Sequence, residues 1–148
     1  MKTSWFFFII LKSININKTL FSTAKFCMQQ SETLNAFSIY YITINNHESA
    51  MKLSNILLEK RLIACANIIG TQESPITSLY HWQGKIENDK EILIMCKSRS
   101  HLLDEIVKEV KANHPYSVPE IIATPIMGGN PDYLKWILEN TKEPETEK

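Results

Sequence analysis

The stretch from Ile92 to Cys96 reads ILIMC, apolar at every position, and it follows a glycine-bearing reversal at Gln83-Gly84-Lys85. Before the reversal stands ITSLYHW, rich in β-branched and aromatic residues, so the two runs predict a long antiparallel hairpin. Successive side chains of a strand point to opposite faces. The first arm obeys this, with Ser78, Tyr80 and Trp82 on one face and Thr77, Leu79 and His81 on the other. The second arm does not alternate, and a strand apolar on both faces must be covered on both. One face is expected to take the chain's own helices. The other is expected to meet another copy of the protein, because a soluble monomer rarely leaves a large apolar patch in water.

The remaining elements follow in order. Residues 37–44 (FSIYYITI) predict a first strand, and Asn45-Asn46 turns the chain into a helix over 47–61 with Ala50, Leu53 and Leu57 on one face. Lys60-Arg61 at its end suits the helix dipole. Residues 64–69 begin the hairpin, and 70–75 (GTQESP) predict a bulge or small loop. A helix is expected over 98–113, capped by Ser98 or Ser100, with Leu103, Ile106, Val107 and Val110 inward and Asp104 paired with Lys108 outside. Pro115 stops it. A fourth strand over 117–127 carries Pro119 and Pro125, which point to an edge position or to bulges. Asn130-Pro131-Asp132 starts a last helix bearing Tyr133, Leu134, Trp136 and Ile137. The order β-α-β-β-α-β plus a terminal helix is the α+β, ferredoxin-like sandwich, here with a long central hairpin.

That domain occupies 37–141, with a solvated tail over 142–148. Residues 1–36 differ. WFFFIIL is too short to span a bilayer, and Lys2, Lys12, Lys18 and Lys25 are the only charges before Glu32. The segment reads as targeting or disordered: a secretory signal, a mitochondrial presequence, or a leader preceding a cytoplasmic start at Met28. No stable membrane span is expected. Sixteen basic residues balance sixteen acidic ones, which leaves no electrostatic footprint for nucleic acid. Cys27, Cys65 and Cys96 are odd in number and far apart, forming neither a CxxC pair nor a disulfide framework.

Taken together, LEKRLIACANII, SLYHWQGKIENDKEILIMCKS, NHPYSVPEIIATPI and GNPDYLKWI resemble the divalent-cation tolerance (CutA) family, over about residues 42–140. The resemblance implies a tight homotrimer, similar in architecture to the PII signalling proteins, whose hairpin arms associate across subunits. It also implies linkage to divalent metals, chiefly copper, and in some members a role as partner or anchor for another protein. No catalytic reaction is implied. Members described as ligating copper use a cysteine near the end of the first strand and a histidine pair before Pro-Tyr. Those positions here hold Ile42 and Asn113-His114. A lone imidazole is not a copper site within one subunit, so either trimerisation brings ligands together from different chains or this chain binds metal weakly, if at all.

Against that background His114 is either a helix-end imidazolium capping carbonyls, favoured by the dipole, or a metal ligand. Glu120, in an apolar strand, needs a partner, and a salt bridge to Lys97 or Lys85 is expected ahead of a general-base role. If His114 and Glu120 face one crevice the pair binds a cation, and Cys65 joins them only if it reaches the same crevice. Otherwise Cys65 and Cys96 are buried and inert. Tyr80 and Trp82 are expected as interface packing rather than ligand stacking, and Lys85, Lys97 and Tyr116 complete the candidate interface or pocket. His47, His81 and His101 are expected to face solvent. The leading reading is a non-enzymatic homotrimer of divalent-metal homeostasis, with copper or another divalent cation as ligand and none required for folding. A scaffold for a partner protein comes second. An enzyme comes last, since no nucleophile elbow, phosphate loop or metal-hydrolase spacing is present.

Overall fold

In the computed structural model, residues 36–143 are described. The expected targeting segment therefore lies outside them, apart from Ala36. Strand β1 (Phe37–Ile44) leads to helix α1 (His47–Glu59), then come strands β2 (Cys65–Ile69), β3 (Ile76–Trp82) and β4 (Lys85–Arg99). Helix α2 (Leu103–Asn113), strand β5 (Ile121–Pro125) and helix α3 (Pro131–Asn140) complete the order. The sheet runs β2-β4-β1-β5, antiparallel throughout, with β3 paired to β4 beyond the end of β2. This is the ferredoxin-like arrangement.

Strand β4 organises everything else. From Ile92 to Arg99 it pairs with β1, and from Leu93 to Lys97 it pairs with β2 on its other edge. From Lys85 to Glu91 its only partner among the described residues is β3. The inner face of the sheet sets Ile42, Ile44, Ile92, Ile94 and Cys96 against Ala50, Leu53 and Leu57 of α1 and Ile106 and Val110 of α2, all buried in one core. Burying such an aliphatic side chain stabilises by roughly 1.5–3 kcal/mol. Tyr40 joins this core, and its hydroxyl donates to the Arg99 carbonyl at 2.9 Å, which removes the polar liability of a buried phenol.

Among the described residues, the outer face is covered at one end only. There Ile137 of α3 packs with Phe37 and Ala64, and the Arg99 guanidinium donates to the Leu138 carbonyl at 2.6 Å and to both oxygens of Glu143. Lys142 pairs with Glu105, and its N–H donates to the Arg61 carbonyl at 2.9 Å. The segment read as a solvated tail thus begins with residues tied to the domain.

Several local expectations are corrected. Helix α1 ends at Glu59, two residues before the sequence boundary, because Arg61 takes a left-handed φ of 53°. The Arg61 and Leu62 N–H groups donate to the Leu58 and Leu57 carbonyls, the Schellman pattern normally closed by glycine. Ser98 and Ser100 do not cap α2. Ser98 lies buried in β4 and donates to the Leu62 carbonyl at 2.6 Å, while Ser100 opens a 3-10 turn and bonds the Ser38 hydroxyl at 2.7 Å. That turn shifts the helical phase, so Leu102 fills the core in place of the half-exposed Leu103. Strand β5 spans only Ile121–Pro125, at the sheet edge that its prolines require.

The polar break holds as a loop. Thr71 and Ser74 exchange backbone and hydroxyl bonds at 3.0 Å, and Gly70 sits at φ 98° close against Ile92. The hairpin reverses through Gln83 and Gly84, both at positive φ, a two-residue turn whose twist matches its strands.

Candidate functional site

Because paired residues on antiparallel strands share a face, the register Ile76↔Glu91, Ser78↔Asp89, Tyr80↔Glu87 and Trp82↔Lys85 assembles one surface of the hairpin. It carries both expected aromatics and three carboxylates at alternate positions. Glu91 is the last residue paired with β3 and stands at the branch where β4 changes partners. Here Thr43 of β1, the hairpin surface and the segment around Tyr116–Glu120 wall a cavity of about 700 Å³. Tyr80, Trp82, Glu91, Tyr116 and Glu120 line it, and among the described residues no Lys, Arg or His does.

Glu91 is only 4% exposed, and among the described residues no cation lies within ion-pairing distance of it. Its neighbour is the Tyr116 phenol, which burial first and the Glu91 carboxylate second push up to about 12. Tyr80 donates its hydroxyl to Asp89, and that bond, with the surrounding carboxylates, holds its phenol at about 12 as well. Both phenols stay protonated, as donors, at neutral pH.

His114 stands behind this wall. It is the C-terminal cap of α2, but its ring turns to β1 rather than to the helix carbonyls. Nδ1 accepts the Tyr116 N–H at 3.1 Å, so the proton resides on Nε2, which donates to the Thr43 carbonyl at 2.8 Å. The ring packs edge-on to Tyr116 at 5.1 Å. These two bonds fit a neutral ring, and burial pushes its pKa down in the same sense, which corrects the dipole-stabilised imidazolium expected from its position. With both nitrogens engaged, the residue braces Tyr116 and the segment after it. Metal coordination requires it to release one of these bonds.

The other site residues disperse. Glu120 is exposed at the cavity rim and, among the described residues, has no salt bridge to Lys97 or Lys85. Lys97 instead donates to Asn67 on the outer face, and Lys85 sits at the hairpin tip. Cys65 is half-buried against the Tyr133 hydroxyl at 3.3 Å, opposite Lys97 in the register and not among the cavity walls. Cys96 is the inert thiol, pushed up to about 12 by burial. Among the described residues no group of three or more His, Cys, Asp or Glu side chains is placed to hold a metal ion. His47, His81 and His101 are exposed, as expected.

Sequence reasoning passed over Glu91. Its signal was there: Glu87, Asp89 and Glu91 alternate with the period of a strand, on the face that Ser78, Tyr80 and Trp82 share.

A model of the CutA1 divalent ion tolerance protein family matches residues 38–140. This chain belongs to that family. The divalent-cation tolerance protein CutA of Thermus thermophilus is 43% identical over 103 residues, covering 70% of this chain and 96% of that protein. The chloroplastic CutA 1 of Oryza sativa is 40% identical over 126 residues, which span 85% of this chain and 69% of the rice protein. The crystal structure of CutA1 from Oryza sativa superposes with a TM-score of 0.70 at 41% identity, covering 76% of this chain and 99% of that one. The Thermus CutA1 structure gives a TM-score of 0.68 at 42% identity, over 72% of this chain and 99% of that chain. CutA membership accounts for the hairpin, the strand order and the terminal helix.

Proposed function

We propose that this CutA protein is a non-enzymatic homotrimer acting in divalent-cation tolerance. The observation that carries the assembly is the outer sheet face. Leu93 and Met95 are only half-buried there, with Ile69 42% and Ile122 51% exposed beside them, and helix α3 covers the opposite end. An apolar strip of this kind is stable in water when neighbouring copies cover it. The family match over the whole domain supports the tolerance role.

Among the described residues of one subunit the donor set for copper or another divalent cation is incomplete, so the metal reading requires His114, Glu120 and Cys65 to be supplemented across subunits. Sedimentation equilibrium of the purified protein tests the assembly, with a trimer below micromolar concentration expected and a stable monomer defeating it. Copper and zinc titration of wild type against His114→Ala tests the metal, and equal, negligible uptake by both removes it. A scaffold for a partner protein is the second reading, favoured by the exposed Leu79 and Ile86 on the far face of the hairpin.

The acid-poor, lysine-bearing start of the chain is proposed as a targeting segment, and the rice relative is named chloroplastic. N-terminal sequencing of the native protein checks it. Among the described residues no helix is long and apolar enough to cross a membrane.

A further inference from the structure

We propose that the cavity at the branch of β4 binds a small organic cation, an alkylammonium or quaternary amine, held by the Glu91 carboxylate and the rings of Tyr80, Trp82 and Tyr116. The site goes beyond the tolerance reading and does not depend on it.

Three observations fix the chemistry. First, the cavity holds a buried carboxylate that no basic side chain among the described residues meets. Glu91 is 4% exposed, no described Lys, Arg or His stands in the lining, and Lys85 at the hairpin tip lies outside it. A buried carboxylate is costly unless a cation meets it, so the missing partner is expected to be the ligand. Second, three aromatic side chains, Tyr80, Trp82 and Tyr116, stand in the wall beside Leu79 and Val118, with Trp82 44% and Tyr80 39% exposed, and ring faces attract weakly hydrated cations. Third, a hard divalent ion needs several oxygen donors converging within about 2.0–2.6 Å, and among the described residues no group of three or more His, Cys, Asp or Glu side chains is placed to hold one. An organic cation needs only one carboxylate and an apolar wall. A volume of about 700 Å³ lies within the ordinary range for small-molecule sites. Asp89 and Glu87, on the same face of β4, and Glu120 at the rim are further carboxylates beside the cavity, and the hydrogen bond to Asp89, with Glu91 and Glu87 nearby, helps to raise the Tyr80 phenol.

The test is calorimetric titration of the full-length protein, with Trp fluorescence in parallel. The probes are butylammonium and tetramethylammonium chloride, with sodium chloride and 1-butanol as controls. Saturable binding of both cations, absent with 1-butanol, is expected. Trp82→Ala should weaken it about threefold to thirtyfold. Glu91→Gln should weaken it roughly thirtyfold or more, with circular dichroism confirming the fold. Should Glu91→Gln not fold, the exposed Glu120→Gln and Trp82→Ala carry the test, and indifference to both overturns the proposal. Equal binding of 1-butanol, or no saturable binding of either cation, overturns it as well. Zinc uptake that Glu91→Gln abolishes, without ammonium binding, makes this a metal site instead. Dissociation of the assembly by Trp82→Ala, again without ammonium binding, makes the cavity a seat for a second copy.

Discussion

Two halves of one strand behave as different materials. From Ile92 to Arg99, β4 pairs with β1, from Leu93 to Lys97 it pairs with β2 as well, and its inner side chains are sealed beneath two helices. From Lys85 to Glu91 the same strand has one partner among the described residues, and its surroundings include Leu79 at 67% and Ile86 at 71% exposure. The first half can be rigid because its ladder runs on two edges over most of its length and its inner side chains are packed in the core. The second is stabilised by one ladder and a turn, so it is free to present groups outward. The cavity lies at the seam, where the rigid half anchors Glu91 and the ribbon supplies the aromatics. Foundation and presentation are separated along the chain by a single residue step.

The largest contrast is expected from truncation on either side of that seam. Ile94→Ala opens a void in a fully buried site and should cost about 2–5 kcal/mol in denaturant unfolding of the intact protein. Thr77→Ala on the ribbon, exposed and bonded only to Lys90, should change stability by less than about 0.5 kcal/mol. Comparable losses would erase the distinction between the halves.

Tyr40→Phe should cost about 1–3 kcal/mol, since the phenol is lost and the buried Arg99 carbonyl is left without its side-chain donor. A change confined to hydrogen exchange of the ribbon, with no shift in global unfolding, would contradict the placement of Tyr40 in the anchored half.

Gly84→Ala probes the ribbon's own turn. Nothing lies within 4 Å of the added methyl, so the penalty is conformational, about 1–2 kcal/mol for a left-handed φ of 80°. It should show as faster amide exchange in β3 and the paired part of β4, with Ile92–Arg99 unaffected. Exchange spreading evenly through β4 would mean that the halves unfold together.

The smallest effect concerns pH. Burial lowers the His114 pKa from 6.5, so the unfolded chain binds this proton more readily than the folded one. The contribution is complete above about pH 6.5 and is lost as pH falls below it. His101, also lowered, acts in the same direction, whereas the depressed carboxylates of Glu109 and Glu143 matter only below about pH 4.5. Stability should therefore decline between pH 7 and 5, and His114→Gln should flatten part of that slope. An unchanged slope would place the titration elsewhere.

Most of the fold was legible because it rests on local signals. The apolar period of α1, the Asn130-Pro131 start of α3 and the reversal at Gln83-Gly84 each specify their element from a few neighbours, and the structure agrees. The errors fall where distant contacts decide. Ser98 satisfies every local rule for a helix cap, yet the Leu62 carbonyl claims it. Arg61 ends α1 early by adopting a conformation its own propensity disfavours, and its guanidinium is held by the Glu139 carbonyl far along the chain. The site divides in the same way. Tyr80, Trp82 and Tyr116 were visible as a group, whereas the missing salt bridge of Glu120 and the separation of Cys65 were not.

The sequence alone determined that β4 must be covered on both sides and that three acids and two aromatics would share one face of its hairpin, because a strand's period of two depends on nothing beyond the backbone. Only the tertiary structure decided which acid became buried with no counter-charge among the described residues and that both ring nitrogens of His114 are engaged as in a neutral imidazole. Both depend on how β1, β4 and the segment after α2 converge in space, and burial and hydrogen-bond geometry set the charge of a group more strongly than its neighbours in the chain do.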